Sequence, residues 1–341
     1  MNDVRVLLAD RSPTVRSVLK RTLGGLEMMT VAGETGDGRE LVELVRNTSP
    51  DCLVTDLDLV GLGGRELIEA VAGARRIPIF AMISATRRAD TRLAFAAHRL
   101  GVVWVHPKPN LPGGWEDLGS VLKQSIFEVC GKTGGRGVGT VASPEETVVV
   151  RRLRYVGIGA STGGPGALSE LLVGLGSGAS FGIAVVQHIA VGFEPALVEW
   201  LRAESGLDVA IAQHGEALSP GKVRFAPAAN HLLVGRNGDI FLDDRSPAVN
   251  GHTPSIETLF SSLLKHPPET VAAIQLSGMG SDGARAMADL RSAHVLTMAQ
   301  DEASCAAFGM PRTAIELGGV AFSATPKRIG RLLARAAGMR T

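Results

Sequence analysis

The chain has 341 residues, 45% of them hydrophobic, which is material for two buried cores rather than one ordinary domain. Lys and Arg number 35 against 34 Asp and Glu, so there is no chain-wide field to draw it to nucleic acid or an anionic membrane surface. Cys52, Cys130 and Cys305 lie too far apart along the chain for a disulfide framework or a paired zinc motif, and the charge-interrupted start MNDVRVLLADRSP lacks a signal or membrane-spanning stretch; a cytoplasmic chain in a reducing compartment is expected.

In chain order, short apolar runs alternate with amphipathic ones. VRVLLA is followed by a helical pattern over 14–23, MMTVAG by 39–46, CLVTD by 67–72, IPIFAMI by 92–100, and VVWV by a closing helix over 118–129. Strand and helix in repetition predict a parallel sheet with helices on both faces. Residues 131–150 are Gly-rich without apolar periodicity and read as a flexible linker, which divides the chain into a first domain over 1–130 and a second over 151–341. Beyond it YVGIGA, FGIAVVQ, VRFA, HLLV, VAAIQL and VLTMA, with helical patterns over 193–203 and 255–264, predict a second α/β domain built as a doubly wound parallel sheet.

Chemistry gathers at the predicted carboxyl ends of three of these strands. GASTGG follows YVGIGA, so Ser161 stands at a strand-to-helix junction inside a G-x-S-x-G pattern, where glycines permit a sharp turn that projects a hydroxyl. The plainer alternative is a Gly-rich turn with Ser161 capping the helix. A dinucleotide site is disfavoured: Thr162 occupies the place of the third glycine, and Gln187-His188 stands where the ribose-binding acid belongs. A serine hydroxyl needs a base, and His188 ends the run FGIAVVQ; an imidazole needs a carboxylate, and Asp282 follows VAAIQL in SGMGSDG. Asp282 can equally serve as N-cap of a helix starting near Gly283.

The second domain resembles the catalytic domain of the chemotaxis protein-glutamate methylesterases, the CheB family. The motifs GIGASTGGP (157–165), QHI (187–189), FAPAANHLLV (225–234), HTPSIETLF (252–260), SGMGSDGA (277–284) and QDEASCAAFGMPRTAI (300–315) carry the likeness, with Ser277 where Thr is usual and Glu257 for a usual Asp. The resemblance implies hydrolysis of glutamate γ-methyl esters on methyl-accepting chemoreceptors, with release of methanol, and deamidation of receptor glutamines. It assigns Ser161, His188 and Asp282 as nucleophile, base and orienting acid, and places Thr162 and Met279 beside the oxyanion. No cofactor is expected for that reaction. The alternative is a catalytically weak signalling or scaffold protein that retains the esterase fold.

The first domain resembles a response-regulator receiver, a flavodoxin-like regulatory domain that implies a histidine kinase as partner. Asp56 at the end of CLVTD takes the phosphoacceptor place, Ser84 the hydroxyl switch position and Lys108 in HPKP that of the phosphate-pairing lysine. Asp10 matches the first of two acids after strand one, but the second is Arg11. The family pattern would build a Mg²⁺ site from Asp10, Asp56 and the main chain of Asp58. Arg11 opposes it, because a guanidinium about 5 Å from a divalent ion costs about 6 to 7 kcal/mol at an effective dielectric near 20. Two placements stay open for Arg11. It pairs with Asp56 or Asp10 inside the pocket, or it faces solvent while Asp58 lends a carboxylate to the metal. The expectation is a receiver fold that is phosphorylated weakly or not at all.

Overall fold

The structure, a computed structural model, describes residues 3–24, 28–84, 88–109, 114–131 and 152–338. The chain divides into two compact units, Met1–Gly134 and Gly135–Thr341. Of the segment read as a linker, all but Gly131 lies outside the described residues.

The first unit runs β1 (Val4–Ala9), α1 (Pro13–Gly24), β2 (Met29–Thr35), α2 (Gly38–Thr48), β3 (Cys52–Asp56), α3 (Gly64–Ala74), β4 (Ile79–Ile83), α4 (Arg88–Ala96), β5 (Val102–Pro107) and α5 (Gly114–Cys130). Its strands are parallel in the order β2-β1-β3-β4-β5, the flavodoxin-like arrangement. Alternation along β1 sorts the two cores. Val4, Val6 and Leu8 pack with Leu19, Leu122 and Ile126, while Leu7 and Ala9 pack on the other face with Leu41, Leu67 and Ala94. The order reverses between β1 and β3, so Asp10 and Asp56 meet at the carboxyl edge.

The second unit comprises β6 (Tyr155–Ala160), α6 (Gly164–Leu175), β7 (Gly182–Gln187), α7 (Glu194–Ser205), β8 (Asp208–Ile211), β9 (Lys222–Phe225), β10 (His231–Val234), β11 (Ile240–Asp243), α8 (Ile256–Leu263), β12 (Val271–Gln275), α9 (Ala284–Ser292), β13 (Leu296–Gln300), α10 (Gly309–Glu316), β14 (Phe322–Ala324) and α11 (Pro326–Ala336). Seven strands form one parallel sheet, β14-β13-β12-β6-β7-β9-β8. β6, β7, β12 and β13 are buried along their whole length, as strands covered on both faces must be. One expected strand sits elsewhere: HLLV, as β10, pairs antiparallel with β11 outside the main sheet. The tight turn between them, closed by Gly235 N–H to Asp239 O at 2.8 Å with Gly238 at φ 87°, favours a hairpin over a crossover.

β6 lies at the middle of this sheet with β7 on one side and β12 on the other, which opens a crevice beyond their carboxyl ends. The second unit holds its own core, including Leu259, Phe260, Leu263, Ala273 and Met287, all fully buried. A chain starting near residue 151 is therefore expected to fold by itself and unfold in one cooperative thermal transition with the site intact. An insoluble fragment would tie its stability to the first unit. No helix among the described residues is long and apolar enough to cross a membrane.

Candidate active site

The three chosen residues all stand on the carboxyl edge of the central strands: Ser161 directly after β6, His188 directly after β7, and Asp282 in the loop after β12. Register puts the first two side by side, since Ala160 pairs with Gln187 and the His188 N–H donates to Ala160 O at 2.9 Å. The Gln187 carboxamide locks this edge by donating to the carbonyls of Ser161 (2.8 Å) and His188 (2.9 Å). Asp282 comes to the same place from a loop 94 residues away, with its Oδ2 3.0 Å from His188 Nε2.

Asp282 does not cap its own helix, as the alternative reading had it; Gly283 holds that position without a side-chain cap. Its carboxylate instead sits at the N-terminus of α8. It accepts the N–H groups of Ile256 (2.7 Å) and Glu257 (3.1 Å), the Ser255 hydroxyl (2.9 Å) and the Asn250 amide (3.1 Å). Burial alone would raise its pKa, but the bonds from His188, Ile256 and Asn250 outweigh it and bring the carboxyl down to about 2. The folded-state value lies below the ordinary 3.8, so Asp282 contributes about 2 kcal/mol of stability above pH 4 that is lost as pH falls through about 2. Burial first, and the Asp282 charge with it, pushes the neighbouring Glu257 carboxyl up.

An ionised Asp282 requires the proton on His188 Nε2. Nδ1 is then the basic nitrogen, and it is buried without a hydrogen-bond partner among the described residues. Ser161 and His188 share no hydrogen bond in this state, and such contacts commonly tighten only with substrate in place.

Two residues of this site escaped the sequence reading. Val249 and His252 exchange backbone hydrogen bonds of 3.1 and 3.0 Å, with Asn250 and Gly251 at φ 54° and 81° between them, the signature of a two-residue I′ turn. Asn250 reaches Asp282, and the His252 ring stacks on His188 with centroids 3.8 Å apart and planes 13° from parallel. The adjacent pair Asn-Gly was the local signal for that turn. Burial first, then the nearby His188, lowers the His252 pKa, so its ring is neutral at neutral pH; Asp282 acts in the opposite sense.

Around Ser161 the loops are close-fitting. Its own N–H is spent on Ser277 O at 2.9 Å, whereas the N–H groups of Thr162 and Met279 donate to no protein acceptor among the described residues. Thr162 is buried, and its carbonyl lies 2.7 Å from the Ser277 hydroxyl; Met279 is half-buried. Ser277 thus fills the usual Thr position and still ties the nucleophile loop to the C-terminal segment, where the Ala307 N–H donates to its Oγ at 3.0 Å. A β-carbon on Gly278 would lie 2.4 Å from Met310 Sδ and 2.7 Å from Ser161 Cβ. Gly278→Ala is expected to displace Ser161, costing about 1–3 kcal/mol of stability and at least about tenfold in ester hydrolysis. Thermal unfolding and turnover of the purified variant measure both.

The receiver pocket departs from one expectation. Lys108 Nζ bridges the buried carboxylates of Asp10 and Asp56 at 2.5 Å each, while Arg11 turns outward, 63% exposed, and pairs with Asp58 at 2.9 Å. Arg11 therefore pairs with neither Asp56 nor Asp10, and the Lys108 ammonium lies between those two carboxylates instead. Asp56 Oδ1 accepts the Asp58 N–H at 3.1 Å, and Ser84 is half-buried directly after β4. As a Mg²⁺ site the donors do not fit: two carboxylates converge, both on an ammonium, the residue beside Asp10 is an arginine rather than a second acid, and Asp58 is engaged by that arginine.

Comparison with known proteins identifies the family of each part of the chain. The CheB methylesterase family matches residues 156–333, and the response regulator receiver domain family matches residues 6–112. The chain is 33% identical over 342 residues to protein-glutamate methylesterase/protein-glutamine glutaminase 4 of Anaeromyxobacter dehalogenans, covering 98% of this chain and 95% of that protein. It is 30% identical over 362 residues to the protein-glutamate methylesterase/protein-glutamine glutaminase of Paraburkholderia xenovorans, with 99% and 98% covered. The crystal structure of the Thermotoga maritima CheB methylesterase catalytic domain aligns with a TM-score of 0.51 at 31% identity, covering 54% of this chain and 98% of that one. Two family matches in order along one chain, near-complete coverage of full-length relatives and the histidine–aspartate pair set beside Ser161 lead to one assignment: the chain belongs to the CheB methylesterase family, with a response regulator receiver domain ahead of its methylesterase domain.

Proposed function

We propose that the chain hydrolyses glutamate γ-methyl esters on methyl-accepting chemoreceptors, and deamidates receptor glutamines, through a triad of Ser161, His188 and Asp282. The observation that carries the reading is the His188–Asp282 pair, 3.0 Å apart, with a buried Nδ1 that has no partner among the described residues, on the edge that bears Ser161. Ser161 Oγ attacks the γ-carbonyl carbon while His188 Nδ1 takes its proton, and Asp282 stabilises the imidazolium. The oxyanion is received by the N–H groups of Thr162 and Met279. Collapse breaks the ester C–O bond, and His188 returns the proton to the leaving methanol. Water, deprotonated by the same nitrogen, then cleaves the acyl-enzyme to give the glutamate carboxylate and free Ser161. A glutamine substrate follows the same path with ammonia leaving.

Receptor signalling helices and a histidine kinase are the partners this reading supplies, and it places the chain in the cytoplasm where those helices lie. Methanol release from methylated receptor membranes tests it, with Ser161→Ala as the control. Release at wild-type rate by that variant, or none by the wild type, would overturn it.

A further inference from the structure

Among the described residues the His188 ring is anchored by a single hydrogen bond, from Nε2 at its far end to Asp282. One such bond leaves an imidazole free to rock about its Cβ–Cγ bond, and rocking swings Nδ1, the atom that must meet Ser161. The second restraint visible in the structure is a ring face. His252 lies flat on His188 at a centroid distance of 3.8 Å, and its own position is set by the reciprocal backbone bonds with Val249. The same four-residue turn sends Asn250 to Asp282 Oδ1, so one rigid turn braces both the base and the acid.

The geometry points to His252 as a positioning residue, which holds the plane of the His188 imidazole by face-to-face stacking and so aims Nδ1 at Ser161. This rests on the methylesterase reading above. His252 touches no reacting atom and acts through His188. The role needs a flat, uncharged partner. A cation stacked at this distance would oppose the imidazolium that forms when His188 accepts the serine proton, whereas the π-face of a neutral ring attracts it. The charged or titratable groups facing His252 are His188 and Asp282, and burial keeps its ring neutral.

The test compares His252→Ala, His252→Gln and His252→Phe in the full chain. With methylated receptor membranes, Ala and Gln are expected to lower kcat about 10- to 100-fold with KM within about threefold, the scale of misplacing a catalytic group by about 1 Å. His252→Phe keeps the flat face and is expected to recover most of kcat. A second readout is the rate at which a fluorophosphonate labels Ser161, which requires an activated serine but no receptor; it should follow the same order. A His252→Ala enzyme with more than half the wild-type kcat, or a Phe variant no better than Gln, would overturn the proposal. If Ala fails to fold, Phe against Gln decides it. Wild-type protein that labels normally yet releases no methanol would tell against the receptor ester and leave the positioning role standing, while wild-type protein that does not label would overturn both.

Discussion

Replacing Ser161 by Ala is expected to lower ester hydrolysis by about 10⁴-fold or more, the scale seen when a triad nucleophile is removed. His188→Ala should cost a similar factor, because it removes the Asp282-paired imidazole whose Nδ1 is the proposed base on the edge that bears the nucleophile. Asp282→Asn should cost less. It leaves Ile256, Glu257 and Ser255 to hold the side chain in place but replaces the carboxylate that fixes the Nε2–H tautomer. Double substitutions should do little beyond the worse single one, since the three act as a unit. Methanol release measured for each purified variant, with thermal unfolding as a control for folding, checks the series. More than about a tenth of wild-type turnover in Ser161→Ala would remove it as nucleophile.

The second large effect is expected in the receiver domain. Acetyl phosphate with Mg²⁺ should leave Asp56 unmodified or nearly so, and Arg11→Asp should restore modification. Because Arg11 faces solvent rather than the pocket, its repulsion of a divalent ion about 5 Å away falls from the buried-site figure to about 1 to 2 kcal/mol at a water-like dielectric. The larger loss is the missing carboxylate. Without it, Mg²⁺ has to compete for Asp10 and Asp56 with the Lys108 ammonium that already bridges them. Arg11→Asp adds an oxygen ligand and removes the guanidinium from Asp58 in one step. Intact mass after incubation, together with a Mg²⁺ titration of both chains, reads the outcome. Stoichiometric phosphorylation of the unmodified chain at millimolar Mg²⁺ would sink the idea. If it holds, control of the esterase comes from something other than the aspartyl phosphate.

Much of this architecture was legible without coordinates, for a local reason. Buried parallel strands leave continuous apolar runs, and their carboxyl ends are where loops expose chemistry, so the ends of YVGIGA, FGIAVVQ and VAAIQL picked out Ser161, His188 and Asp282. The short strands β8, β11 and β14 left no such run; each has three or four residues and only partial burial. HLLV has the composition of a strand, but composition does not choose its partner, and the pairing with β11 followed from a tight turn.

What the sequence by itself determined was which residues stand at which strand ends, because strand periodicity and turn chemistry act over a few positions. What each side chain meets there was decided by the tertiary structure. Asp282 reads locally as a cap for its own helix, yet it satisfies the N-terminus of α8 and His188, partners 25 to 94 residues away. His252 reads as one histidine among several until the I′ turn lays it on His188. Arg11 reads as an intruder in the acidic pocket until Asp58 draws it outward. Cys52 and Cys130, remote in sequence, come close enough that their contact and burial push the Cys52 thiol up. Each of these outcomes turns on which of several chemically adequate partners arrives within about 3 to 4 Å, and that distance is set by how the strands and helices pack rather than by residue type or spacing.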